Sequence, residues 1–336
     1  METWDLLRNV WFLLIGVLLA GYSVLDGFDL GVGVLLPFLA KSEREKTSLV
    51  RSIGPVWDGN EVWLLTGGGA LFAAFPHAYA TVFSGFYLAL MLVLFSLILR
   101  AVSLEFRAHA GAGKGLWEAA FVIGSFLPAL LFGVALGNVV VGVPIDAQME
   151  YAGNFFTLLR PLPLVFGLLG LAAFLLHGST WAALKTSGAL QERARRAART
   201  MTVLTGILYL LSFIAVWIYL PGALKRIAAW IFAALVWLSL GLVLSAVKKG
   251  KEGRAFLFSS CAFLALWGNV GAIHYPNLVR AADPALSLTI TNASSSALTL
   301  KVMLIIALVG MPLVIGYTIY AYRVFKGKAD VEDAGY

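Results

Sequence analysis

The chain has 336 residues, of which 60% are hydrophobic and only 13% charged, with a mean hydropathy of +0.87, far from the roughly 25% charged composition of a soluble domain. This excludes a soluble enzyme, because a globular surface cannot hide so much apolar area from water; the solvent is lipid. The formal net charge of +7 comes from Lys and Arg in short clusters between apolar runs, which points to anionic headgroups rather than nucleic acid.

A bilayer core of about 30 Å takes about 20 apolar residues in a helix. That ruler predicts about nine transmembrane helices, at approximately 9–31, 54–75, 78–100, 117–140, 162–184, 202–220, 226–247, 255–275 and 299–323. The first run is too long and continues too directly into the next to read as a cleaved signal peptide. Short connections make consecutive helices antiparallel neighbours. The expected fold is therefore an all-α integral membrane protein, a single polytopic domain over 1–336, with helices 1–4 at about 9–140, helices 5–8 at about 162–275 and helix 9 at about 299–323. The stretch 189–201, with Glu192 and four arginines, is the expected boundary between helix groups, and the tail after Lys328 is expected to fray.

Orientation follows from the basic residues, which collect in cytoplasmic loops. If the first helix runs from outside to inside, 19 of the 25 Lys and Arg fall on one side, among them Lys41, Arg44, Lys46, Arg51, Lys185, Arg193 and Lys328. This predicts the N-terminus outside and the C-terminus in the cytoplasm. An eight-helix count would put a basic loop on the wrong side unless the second and third segments formed a re-entrant hairpin around Pro76 and His77.

The informative residues are ionisable groups inside apolar runs, which cost free energy in hydrocarbon and normally face a protein interior or a water path. The first segment carries Asp26 and Asp29, three apart and so on one helical face. The second opens with Trp57, Asp58, Asn60, Glu61 and Trp63, its acids again three apart and at similar depth. Arg100 ends the third segment on the same side, followed by Glu105 and Arg107. Four acids and an arginine are thus expected at one level, where carboxylates held together in low dielectric repel and exchange protons. The alternative is an ion-pair network that only fixes packing. Trp57 and Trp63 flank the acids instead of marking a loop. Gly27, Gly31, Gly33 and the run Gly67-Gly68-Gly69 are expected to permit close helix approach.

Haem ligation by histidine is disfavoured by position. His77 and His274 fall at the outer side and His109 in an inner loop, leaving His177 within an apolar run. The lone Cys261 excludes an internal disulfide, and no CxxC, CxxCH or zinc-type Cys/His spacing occurs. No Walker A, HExxH or Ser/His/Asp order is present, so no catalytic residue and no metal site is expected in this chain. The polar stretch 289–296 is expected to cap the last helix.

Long motifs carry a family resemblance: Asp26-Gly27-Phe28-Asp29-Leu30-Gly31-Val32-Gly33, Trp57-Asp58-Gly59-Asn60-Glu61-Val62-Trp63-Leu64, Gly68-Gly69-Ala70-Leu71-Phe72-Ala73-Ala74-Phe75-Pro76, His177-Gly178-Ser179-Thr180 and Asn292-Ala293-Ser294-Ser295-Ser296. The sequence resembles subunit II of the cytochrome bd-type quinol oxidases of prokaryotic cell membranes, over essentially the whole chain. The resemblance implies a multi-pass subunit paired with a haem-bearing subunit I that holds the b-type and d-type haems and oxidises quinol while reducing oxygen to water. It implies no firmly bound cofactor in this chain, with a structural quinone and a small accessory subunit as further expectations. It also implies that Asp58 leads a proton pathway helped by Asp29, Arg100 and Glu105, to which the residues themselves add Asp26 and Glu61 as acids expected at the same level. Glu105 stands where relatives carry Asp. Only Pro221-Gly222-Ala223-Leu224-Lys225 join the sixth and seventh segments, where some relatives carry a long insertion. The alternative from the residues is a stand-alone proton-coupled transporter, in which the same acids bind substrate or ion.

Overall fold

The computed structural model describes residues 3–220 and 222–329. Its first two helices, α1 (Thr3–Leu25) and α2 (Gly27–Leu39), form one rod with a turn at Asp26. The Asp26 N–H donates to the Tyr22 carbonyl at 2.8 Å and its own carbonyl accepts from Leu30 at 3.0 Å, so the backbone ladder runs through the turn. The rod is longer at both ends than the expected 9–31.

Ser42 then caps α3 (Glu43–Ile53), its side chain accepting from the Glu45 N–H. This helix was not among the predicted segments, because a window tuned to apolar runs passes over a short polar helix. Next come α4 (Trp57–Ala74), α5 (Pro76–Gly85), α6 (Tyr87–Phe106), α7 (Lys114–Val141), α8 (Pro161–Lys185) and α9 (Gly188–Tyr219). After them follow α10 (Ile227–Lys248), α11 (Glu252–His274), a small antiparallel pair of β1 (Asn277–Val279) and β2 (Leu288–Thr289), and α12 (Ala297–Val324).

Among the described residues eight helices are long and apolar enough to cross a membrane, counting α1 and α2 as one. The remaining predicted segment is α4, whose 18 residues span about 27 Å but whose hydropathy is lowered by Asp58, Asn60 and Glu61. It lies along α1: Gly67 faces Leu18 and Leu19, and the carbonyl of Ala74 accepts from the Ser295 N–H at 2.9 Å. The predicted 78–100 helix is divided at Phe86 into α5 and α6.

The bundle packs most tightly where α2 lies against α7 and α8. A Cβ added to Gly31 would sit 2.0 Å from the Phe174 carbonyl oxygen, and one on Gly178 would sit 2.4 Å from the Gly31 carbonyl carbon. The expectation for Gly27, Gly31 and Gly33 holds, since each faces a neighbour that leaves no room for a methyl group. Gly68 and Gly69 meet nothing within 4 Å inside this chain.

The stretch 189–201, expected as a boundary between helix groups, is helical. It forms the first turns of α9, which run unbroken into the membrane span. Its charges are engaged sideways: Arg195 pairs with Glu192 and Glu252, and Arg193 pairs with Glu45. At the same end Lys46 bonds Glu118 at 2.7 Å while Arg107 bonds Glu118 at 2.8 Å and Glu43 at 3.0 Å, tying α3 to α6 and α7. This is the basic end of the bundle. At the opposite end Ser296 caps α12 by accepting from Thr299, as expected for the 289–296 stretch. The expected fraying beyond Lys328 concerns residues that lie, after Ala329, outside the described ones.

Candidate functional site: a buried acid and arginine cluster

Asp26 occupies the α1–α2 turn and is fully buried. Arg100, reaching from α6, is only 1% exposed and grips it with both terminal nitrogens, Nη1 to Oδ2 at 3.1 Å and Nη2 to Oδ1 at 2.7 Å. The same Nη2 donates to Glu61 of α4 at 2.5 Å. One guanidinium thus holds two carboxylates from two helices, the geometry in which charge-assisted bonds are strongest.

Asp29, one turn further along α2, is also fully buried. Its Oδ2 accepts from Asn60 Nδ2 at 2.7 Å, and that amide also donates to the Leu25 carbonyl at 2.9 Å. Asn60 Oδ1 in turn accepts from the Tyr322 hydroxyl of α12 at 3.0 Å. Four helices therefore meet at Asn60 and Asp29. Asp29 Oδ1, the Tyr22 hydroxyl and Arg100 Nε are buried with no partner among the described residues, the kind of atom that an ordered water serves.

Asp58 and Glu105 stand apart. Asp58 was expected among the four acids at one level and Glu105 as a further member of the pathway; both are exposed on the flank of the chain, with no ion pair among the described residues. The three-residue spacing leaves Asp58 about 60° around the helix from Glu61, enough to turn it outward while Glu61 reaches Arg100. Trp57 is half-buried in the first turn of α4, and Trp63 lies over Gly21, its ring carbon Cε3 2.4 Å from where a Cβ would be. Tyr322 and Tyr22 were missed by sequence reading, since a tyrosine near a helix end reads first as an interface residue.

The depth of the cluster follows from α8. His177 donates from Nε2 to the Val24 carbonyl at 2.9 Å, which places it beside Asp26, and accepts at Nδ1 from the Ser259 hydroxyl at 2.7 Å. From His177 to the end of α8 at Lys185 is about 12 Å at 1.5 Å per residue. The cluster thus sits within the basic-end part of the bundle. His177 is also stacked on Phe256 at 4.7 Å, so both its nitrogens and one ring face are occupied by protein. Among the described residues no group of three or more His, Cys, Asp or Glu could hold a metal ion.

The sequence model of the family described as cytochrome bd terminal oxidase subunit II matches residues 7–325. The chain belongs to that family. It is 35% identical to the cytochrome bd-I ubiquinol oxidase subunit 2 of Escherichia coli K12, over 99% of this chain and 98% of that protein. It is 36% identical to the cytochrome bd ubiquinol oxidase subunit 2 of Bacillus subtilis, over 96% of each. Among solved structures, the bd oxidase of Geobacillus thermodenitrificans superposes with a TM-score of 0.81, at 18% identity, over 95% of this chain and 98% of that one, a likeness of fold. As a subunit II of a bd-type terminal oxidase, the chain is a multi-pass inner-membrane component of an oxidoreductase complex of respiratory electron transport. Catalysis belongs to the complex. The stand-alone transporter has no support from fold or relatives.

Proposed function

We propose that this chain supports the haem-bearing subunit and contributes carboxylates to proton uptake for oxygen reduction there, with the basic end facing the cytoplasm as the charge bias requires. Asp58 is the outward member of the pathway. Glu61, Asp26, Arg100 and Asp29 stand behind it, and Glu105 stands on the next turns of α6 towards the basic end. Trp57, Trp63 and Asn60 line or position these groups.

One observation carries the reading. Asp58 lies on α4 two residues before Asn60, at the depth of the buried cluster, yet it is exposed on the flank of this chain. A carboxylate at that depth facing hydrocarbon is costly, so that flank is covered by protein. The surrounding surface of α4, α6 and α12 fits such a cover, with Leu65, Phe95, Ile98 and Ile306 all exposed. Asp58 then stands at the seam between the two subunits, where a proton taken up at the basic end passes towards the partner. The unpartnered Asp29 Oδ1 and Tyr22 hydroxyl support water in the same region.

The test is Asp58→Asn in the assembled oxidase. A relay role predicts turnover falling by about a hundredfold or more, the usual weight of a positioned proton-transfer group, with haem spectra unchanged. Turnover equal to the parent at every pH would end the relay role.

A structural quinone and a small accessory subunit remain part of the proposal only at the periphery of this chain. The cavity between α1, α7, α8, α9 and α11, lined by Tyr209, Phe263 and Trp267, has a volume of about 110 Å³, below the ~150 Å³ that accommodates benzene. A substituted quinone ring held there requires the helices to part.

A further inference from the structure

We propose that His177 of α8 is a positioning residue for the acid cluster: it caps the Val24 carbonyl where α1 gives way to α2, and so holds the turn that presents Asp26 to Arg100. Val24, Leu25 and Asp26 are consecutive. The carbonyls of the first two each accept from a side chain of another helix, Val24 from His177 Nε2 at 2.9 Å and Leu25 from Asn60 Nδ2 at 2.9 Å. A turn inside a membrane span is tolerated where neighbouring helices supply donors to its backbone, since hydrocarbon supplies none. Two peptide planes pinned immediately before Asp26 fix the direction in which its short side chain leaves the backbone. That direction decides whether both carboxylate oxygens reach Arg100, as they do at 2.7 and 3.1 Å.

The packing of α8 builds the ring into that place. The close approach of α2 and α8 at Gly31 and Gly178 brings His177, one residue before Gly178, against the turn, and a Cβ added to Gly27 would stand 3.8 Å from its Cδ2. Phe256 stacks on the ring at 4.7 Å, while Phe28 and Phe263 meet it edge-on at 6.0 and 5.4 Å, which holds its orientation. Ser259 of α11 donates to Nδ1 at 2.7 Å, and the Thr180 hydroxyl lies 3.0 Å from the same serine oxygen. His177 is fully buried, and a hydrogen bond in such surroundings is electrostatically stronger than in water.

The same bonds separate positioning from proton relay. A carbonyl oxygen only accepts, so the bond to Val24 keeps a proton on Nε2 and leaves Nδ1 as the acceptor for Ser259. A relay needs a group beyond each nitrogen that takes the proton and passes it on, and the Val24 carbonyl passes nothing on. His177 is thus a fixed donor in one tautomer, acting on the acids through the backbone that carries them. The effect on turnover rests on the proton-uptake reading of the acid cluster; the hold on the turn does not.

The experiment uses the assembled oxidase with His177→Leu, which removes the donor, and His177→Gln, whose amide restores a donor near Nε2 without an imidazole proton. For His177→Leu, with haem spectra unchanged, turnover is expected to fall by up to about a hundredfold, the cost of displacing a reacting group by about an ångström. Its pH profile of turnover should be displaced, and amide exchange over residues 24–30 at a fixed pH should quicken. His177→Gln should restore turnover, profile and exchange together. Where His177→Leu does not assemble, the nitrogen-15 spectrum of the histidine-labelled parent carries the test, with the His177 signals identified by their loss in His177→Gln. It should show Nε2 protonated and Nδ1 unprotonated across the pH range of turnover. A His177 ring that titrates in that range, or His177→Gln as impaired as His177→Leu, overturns the proposal. Asp58→Asn is measured alongside. Where it lowers turnover, a parental pH profile in His177→Leu overturns this inference and leaves the proton-uptake reading standing. Where it does not, that reading falls and exchange alone decides: faster exchange in His177→Leu supports the hold on the turn, and parental exchange overturns it.

Discussion

Arg100 holds Asp26 with both terminal nitrogens in a contact that neither residue shares with water. Taking two charges out of solvent is costly, and an intact pair recovers that cost only through good geometry and added bonds, here the third bond to Glu61. Removing one partner leaves the other buried and unpaired. Arg100→Leu is therefore expected to cost about 3–5 kcal/mol of stability, read as early thermal loss of the assembled oxidase. Arg100→Leu/Asp26→Leu should cost less than the sum of the single variants, because the double change removes the stranded charge. Additive losses in this double-mutant cycle would mean that the pair is not coupled.

Tyr322 reaches Asp29 only through Asn60. Tyr322→Phe removes one hydrogen bond at 3.0 Å and should cost about 1 kcal/mol with the haem spectrum unchanged. If Asp29 takes part in proton transfer, the variant also displaces the pH profile of turnover, whereas a packing role alone leaves that profile in place. Asn60→Ala, which frees Asp29 Oδ2 as well, should displace it further. A profile displaced by neither variant would remove Asp29 from the pathway.

How much of this site could be read beforehand depends on range. Asp26, Asp29, Glu61 and Arg100 stood out because a charge inside an apolar run has few places to go, and their spacing set them at one level. The outward turn of Asp58 did not stand out, because a three-residue step fixes a face only to within about 60°, and that margin separates a buried acid from an exposed one. Tyr322 contacts Asn60 across 262 positions, and no local pattern encodes such a contact. The polar helix α3 was hidden for another reason: hydropathy windows of membrane length average it into the neighbouring loop. Of the nine spans expected from the sequence, eight are long and apolar enough to cross a membrane among the described residues, and the ninth, α4, carries the acids that depress its own hydropathy.

The contact of Gly31 with Gly178 allows no larger residue. Gly31→Ala would place a methyl carbon 2.0 Å from a backbone oxygen, which a side-chain rotation cannot relieve. Overpacking of this kind costs about 1–3 kcal/mol or more, because α2 must move away from α8 and disturb Asp29 and His177 together. The expected outcome is poor accumulation of the assembled oxidase, measured by haem content per membrane protein. Gly68→Ala, with nothing within 4 Å inside the chain, separates packing within the chain from packing against the partner. Normal assembly of Gly68→Ala would mean that the partner keeps its distance at that glycine.

The ion pairs of α3 make the basic end sensitive to acid. Lys46 donates to Glu43 at 2.9 Å, and that bond, with the nearby Arg107 charge, holds the Glu43 carboxyl below its ordinary value. A carboxyl whose folded value lies below its unfolded value of about 4.3 contributes stability that is present above the unfolded value and lost as pH falls through the folded one. Lys46 moves the other way, raised chiefly by its bond to Glu118, so its contribution is full below its ordinary value and is lost only in strong alkali. Between these limits α3 should stay docked. Amide protection over residues 43–53, taken relative to the intrinsic exchange rate at each pH, is therefore expected to fall below about pH 4 and to stay flat from neutrality to mild alkali. Because Glu43 is largely exposed, high salt should weaken the acid-side effect. Lys46→Met should raise exchange at neutral pH by removing both of its bonds at once, and unchanged exchange in that variant would show that the apolar side of α3, with Leu49 and Ile53 fully buried, holds the helix without its charges.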